Sequence, residues 1–162
     1  MSYRSVTLAL RAAMLASLAS SALVAQSTIS APATILTPAQ LKAITDSLPA
    51  ASLASIPLGV GSGYTYSLTH RDLSGVIEVH MQWTDIFVIQ SGSATLVTGG
   101  HLADAKEASP GEWREGRMTG STSATLKPGD VVIIPASTPH QFQLAPGEQV
   151  NYLTFKIAAA TK

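Results

Sequence analysis

From Tyr64 onward the chain is a succession of short runs rich in Val, Ile, Tyr, Phe and Thr: Tyr64–Thr69, Val76–Met81, Asp85–Gln90, Ala94–Thr98, Val131–Pro135, His140–Leu144 and Gln149–Ile157. Gly, Pro and Ser punctuate them at intervals of about ten residues, the spacing of strands joined by turns. This succession constrains the fold more than any other feature of the sequence. It predicts an all-β sandwich or barrel, and 162 residues suffice for one such domain around one core.

The residues before the strands divide into three parts. Met1 to Ala25 carries Arg4 and Arg11, no acidic residue and an uncharged Ala/Leu/Ser-rich run, the pattern of a secretory signal peptide. This predicts a protein exported to the periplasm or secreted, with no membrane anchor in its mature form. Residues 26–58 are expected to hold a linker and one short helix. Thr37-Pro38-Ala39-Gln40 has the form of an N-cap, a proline at the first helical position and a capping-box glutamine. Leu41, Ile44 and Leu48 follow at helical spacing and Pro49 ends the run. Gly59 to Gly63 is expected to be a hinge opening the barrel over 59–162; it lacks the lysine and following helix of a phosphate loop.

Ten basic and ten acidic residues cancel, so no basic face is offered to nucleic acid. The chain has no cysteine, which excludes disulfides, thiolate catalysis and thiolate metal sites. Any metal ion must be held by nitrogen and oxygen. Glu78 and His80 lie two apart on one strand, so their side chains leave the same face about two rises of 3.3 Å apart. Gln82-Trp83-Thr84 forms the turn, Asp85 opens the returning strand, and the Ser-Thr-Pro turn after Pro135 delivers His140. Two imidazoles and one or two carboxylates suit a divalent ion such as Mn or Fe, with Zn or Ni as further candidates.

These two segments resemble the paired signatures of the cupin superfamily, whose usual forms are G-x5-H-x-H-x3,4-E-x6-G and G-x5-P-x-G-x2-H-x3-N. Here they read Glu78-x-His80-x4-Asp85-x6-Gly92 and Gly129-x5-Pro135-x-Ser137-x2-His140. Glu78 stands at the first histidine, Asp85 at the glutamate, Ser137 at the second glycine and Leu144 at the asparagine. The resemblance covers about Tyr64 to Ile157. It implies a single-domain jelly-roll β-barrel, with a metal ion near its open end held by Glu78, His80, Asp85 and His140.

Two functional readings follow. In the first, the barrel is a metal-dependent enzyme of cupin type, an oxygenase, isomerase or lyase acting on a small oxygenated or carboxylated molecule. His80, Asp85 and His140 are then ligands and Glu78 a ligand or a base. In the second, it is a non-catalytic cupin that binds a small molecule without metal. Gln82 is expected behind the ligands, His70 in the barrel wall, His101 in solvent and Asp130 capping a turn. His101 to Ser123 reads as a long connection, either a solvated excursion or a lid over the mouth with Arg114 and Arg117 as anion contacts and Glu112 as a base. Edge strands leave a homodimer open.

Overall fold

The computed structural model describes residues 33–49 and 53–160; the expected signal peptide lies outside them. Pro38–Asp46 forms helix α1. Thirteen strands follow: β1 (Leu53–Gly61), β2 (Tyr64–Arg71), β3 (Glu78–His80), β4 (Trp83–Gly92), β5 (Ala94–Thr98), β6 (His101–Ala103), β7 (Lys106–Ser109), β8 (Glu112–Arg114), β9 (Arg117–Thr119), β10 (Thr122–Leu126), β11 (Val131–Ile134), β12 (His140–Gln143) and β13 (Val150–Ala158).

Helix α1 starts where the sequence places it. The Gln40 backbone N–H donates to Thr37 Oγ1 at 3.3 Å, and the Thr37 backbone N–H donates to Gln40 Oε1 at 2.9 Å, closing the capping box.

The strands form a five-stranded sheet ordered β1-β2-β13-β4-β11, a six-stranded sheet ordered β10-β5-β12-β3-β8-β7, and a small β6-β9 pair. Every pairing is antiparallel. Among the described residues the fold is therefore an all-β barrel of two packed antiparallel sheets with one short helix.

The two large sheets share one core. Phe87, Ile89, Ile134, Val150 and Tyr152 come from the first and Ala94, Leu96, Leu126 and Phe142 from the second. Because side chains alternate along a strand, these apolar residues fix which neighbours also point inward. On β4, Phe87 and Ile89 carry Asp85 to the interior, and on β12 Phe142 carries His140 there. Phe87 lies edge-on to Phe142 and Tyr152, with ring centroids 5.2 and 5.4 Å away, and forms an aromatic floor beneath His140.

Two expectations are corrected. The barrel begins before residue 59, because β1 runs from Leu53 through the supposed glycine hinge and pairs with β2. Its glycines serve close packing: a Cβ at Gly59 would lie 2.5 Å from the Tyr66 hydroxyl, and one at Gly61 would strike the Tyr64 ring. Residues 101–123 are not an irregular excursion but short strands β6 to β9 and the start of β10, with β8 hydrogen-bonded to β3. At three to five residues each, such strands are too short to show a period. On β13 the alternating Leu153, Phe155 and Ile157 face away from the cavity, and Tyr152, Thr154 and Lys156 line it. Phe155 instead stacks on Tyr66, with ring centroids 5.7 Å apart.

Candidate metal centre

Backbone register assembles the site. His140 on β12 stands opposite Glu78 on β3. Glu112 on β8 stands opposite His80. Lys156 on β13 stands opposite Asp85 on β4. The turn that delivers His140 is tied to the same place, since the Ser137 N–H donates to the His80 carbonyl at 2.8 Å. Ser137 holds φ at 68°, the left-handed conformation that favours glycine, so the turn carries backbone strain at this residue.

All four residues expected from the sequence converge. His80 Nε2 lies 3.3 Å from Asp85 Oδ2 and 3.7 Å from Glu78 Oε2; His140 Nε2 lies 3.6 Å and 3.8 Å from the same two oxygens. Donor atoms of Glu78, His80 and His140 all lie within 4.8 Å of one another. His80, Asp85 and His140 are at most 4% exposed, while Glu78 is half-buried.

The imidazole orientations are set from behind. His80 Nδ1–H donates to Glu112 Oε2 at 2.5 Å, and His140 Nδ1–H donates to the Thr138 carbonyl at 3.1 Å. With Nδ1–H engaged in this way, Nε2 of each neutral ring carries the lone pair that faces the centre. His140 Nε2 is buried and has no hydrogen-bond partner among the described residues. Two lone-pair nitrogens and two carboxylates pointed at one another repel unless a cation sits between them. The donor set therefore fits a divalent ion, and a carboxylate behind a ligating histidine is how such ligands are oriented.

The electrostatics reflect this crowding. Burial opposes the charge of Glu78, but the neighbouring His80, Arg114 and His140 outweigh it and lower the carboxyl to about 2. Burial pulls His80 down, yet Glu78, Asp85 and Glu112 together hold it above its ordinary value. For His140 burial wins over the Thr138 carbonyl and the two carboxylates, and the ring stays below its ordinary value.

Other expectations sort themselves by position. Arg114 bridges the two glutamates, 3.5 Å from Glu78 Oε1 and 3.1 Å from Glu112 Oε2. Glu112 thus lies against His80 rather than on a lid. Arg117 is exposed and bound to Asp104, away from the cavity. Gln82 and His101 are exposed, so Gln82 does not stand behind the ligands. His70 belongs to the wall, bonded through Nδ1 to Asn151 Oδ1 at 2.9 Å. Asp130 accepts from the Lys127 N–H at 2.8 Å and closes its turn.

Lys156 was not among the residues expected at the site. Its ammonium donates to both oxygens of Asp85, at 3.0 and 3.3 Å, so the third expected ligand already holds a cation. A cavity of about 210 Å³ adjoins the cluster, lined by Arg71, Glu78, His80, Asp85, Arg114 and Lys156 among others.

No protein-family model matches the chain, and no curated protein matches its sequence. Several solved structures are similar to parts of it. A DMSP lyase from Ruegeria pomeroyi is 17% identical over 68% of this chain and 49% of its own, with a TM-score of 0.49. A cupin 2 conserved barrel domain protein from Rhodopseudomonas palustris is 18% identical over 68% of this chain and 63% of its own, with a TM-score of 0.48. A cupin-2 domain from Rhodospirillum rubrum is 19% identical over 68% and 63%, with a TM-score of 0.47. At these identities the likeness concerns the barrel alone.

Proposed function

We propose that this cupin-type barrel binds one divalent metal ion through Glu78, His80 and His140, with Asp85 as fourth donor, and acts on a small oxygenated or carboxylated molecule in the adjoining cavity. The observation that carries the proposal is His140 Nε2, buried and unpartnered among the described residues while facing two carboxylate oxygens. Carboxylate-rich donors favour Mn or Fe, with Zn or Ni as alternatives. When bound, such an ion supplies Lewis-acid polarisation of a substrate oxygen or activation of water.

The chain's own groups have separate tasks. Glu112 keeps the Nδ1 proton on His80 and so presents Nε2 to the ion. Arg114 holds both glutamates in place. Glu78 serves as a ligand rather than a base, because a carboxyl lowered to about 2 accepts a proton poorly at neutral pH. The barrel walls exclude bulk water from three of the four donors.

Lys156 favours a second reading. Its ammonium on Asp85 supplies a built-in cation, which suits a metal-free barrel that only binds a small molecule. Elemental analysis separates the two. After loading with Mn, Fe, Ni or Zn and desalting, the intact protein is expected to retain one equivalent and His140→Ala well under that. An intact protein that retains none of the four ions leaves the metal-free reading standing.

The proposal places the mature protein outside the cytoplasm, by way of residues 1–25. N-terminal sequencing of protein from the periplasm or medium is expected to begin after the Ala/Leu/Ser-rich run. Cytoplasmic protein retaining Met1 contradicts it.

A further inference from the structure

Charges along the cavity pair off with one exception. Lys156 is matched by Asp85, and Arg114 by Glu78 and Glu112. Arg71, at the end of β2, is 9% exposed, makes no salt bridge among the described residues, and buries an Nε that has no hydrogen-bond partner there. A guanidinium cannot neutralise itself by losing its proton, so burying one without a counter-ion is costly unless an anion arrives.

The surroundings are shaped to the guanidinium. It lies 6.0 Å from the Phe142 ring centroid, a distance at which ring and cation attract. A Cβ at Gly75 would come within 2.6 Å of Arg71 Nη1, so the glycine makes room for it. Burial pushes the Tyr152 hydroxyl up, and the charge and side-chain hydrogen bond of the neighbouring Arg71 oppose that shift without cancelling it, so the neutral phenol can meet Arg71 as an acceptor but not as a counter-ion. Tyr152 therefore stays neutral, and the positive charge of Arg71 is left unanswered.

We propose that Arg71 is the seat of a carboxylate on a small acid, the other end of which faces Glu78, His80 and Asp85 across the same cavity. The ion-facing half of this rests on the metal reading above; the anion seat does not. The planar guanidinium fork matches a carboxylate through two parallel hydrogen bonds. The cavity volume of about 210 Å³ corresponds to roughly seven waters, room for an acid of a few carbons.

The test uses propionate, propionamide and inorganic phosphate as probes on the full-length mature protein, metal-loaded and metal-free. Binding is followed by thermal shift and by the NMR resonance of the Arg71 Nε–H, assigned with Arg71→Lys. Propionate is expected to bind saturably and move that resonance, with propionamide at least about tenfold weaker and phosphate, whose higher charge meets the Glu78 and Asp85 carboxylates lining the same cavity, weaker as well. Arg71→Met is expected to lose propionate binding by about tenfold or more and to keep its metal stoichiometry. Should Arg71→Met fail to fold, the resonance in the wild-type protein decides. A resonance unmoved by saturating propionate, or equal response to propionamide, overturns the anion seat; equal binding of phosphate overturns its carboxylate class. Propionate binding by a protein that retains no metal refutes only the metal reading.

Discussion

Replacing Glu112 by Gln tests whether His80 is oriented as a metal ligand. The substitution keeps the shape and an acceptor oxygen for His80 Nδ1–H but removes the charge from a contact of 2.5 Å beside a ring that is 4% exposed. Hydrogen bonds to charged groups contribute about 1.5–3 kcal/mol and neutral ones about 0.5–1.5 kcal/mol. The difference of about 1–1.5 kcal/mol corresponds to a loss of roughly tenfold in metal affinity for Gln, within the 10–100-fold expected for carboxylates behind ligating histidines. Glu112→Ala leaves Nδ1–H unpaired and is expected near the upper end. The assay is competition against a fluorescent chelator at pH 8, with thermal melting of the metal-free proteins as a control for the Arg114 contacts. At pH 6 the deficit is expected to shrink. Glu112 helps hold His80 above its ordinary value, so its loss also weakens proton competition for Nε2. An affinity within about twofold of wild type at pH 8 refutes the reasoning.

Lys156→Met removes from Asp85 an ammonium that repels a metal ion and retains an apolar stem. Metal affinity is expected to rise by about tenfold or more, and a fall shows that the ammonium supports the site instead. Ser137→Gly relieves a left-handed backbone costing about 1–2 kcal/mol but adds about 0.5–1 kcal/mol of unfolded-chain entropy. A net gain of up to about 1 kcal/mol in denaturant unfolding is expected, and a loss contradicts the strain. Glu78 is lowered from 4.5 to about 2 in the metal-free fold, so its contribution to stability is present above pH 4.5 and is lost as pH falls toward 2. Glu78→Gln is expected to flatten the fall in melting temperature between pH 5 and pH 3; an unchanged slope contradicts the assignment.

The strands and the four polar side chains were legible because each rests on local spacing. Glu78 and His80 share a face by alternation, and His140 is drawn inward by Phe142 two residues on. Lys156 and Arg71 escaped the same logic. Placing the more apolar face of β13 inside works where strands pack on one another, but at a cavity the inward face is polar: Tyr152, Thr154 and Lys156 line it while Leu153 and Phe155 face away. Arg71 ends a run whose alternation could have placed it inside, yet nothing in the sequence says that it lacks a counter-ion. Glu112 reaches His80 only through the β3–β8 pairing of three residues, which no local pattern in the 101–123 segment announces.

The central claim is that two imidazoles and a carboxylate grip one cation inside the barrel. The most direct measurement is anomalous diffraction from crystals grown with Mn or Zn. The account predicts a single strong peak at about 2.0–2.2 Å from His80 Nε2, His140 Nε2 and Glu78 Oε2. A map without a peak there at full metal saturation, with Lys156 still closed on Asp85, contradicts it.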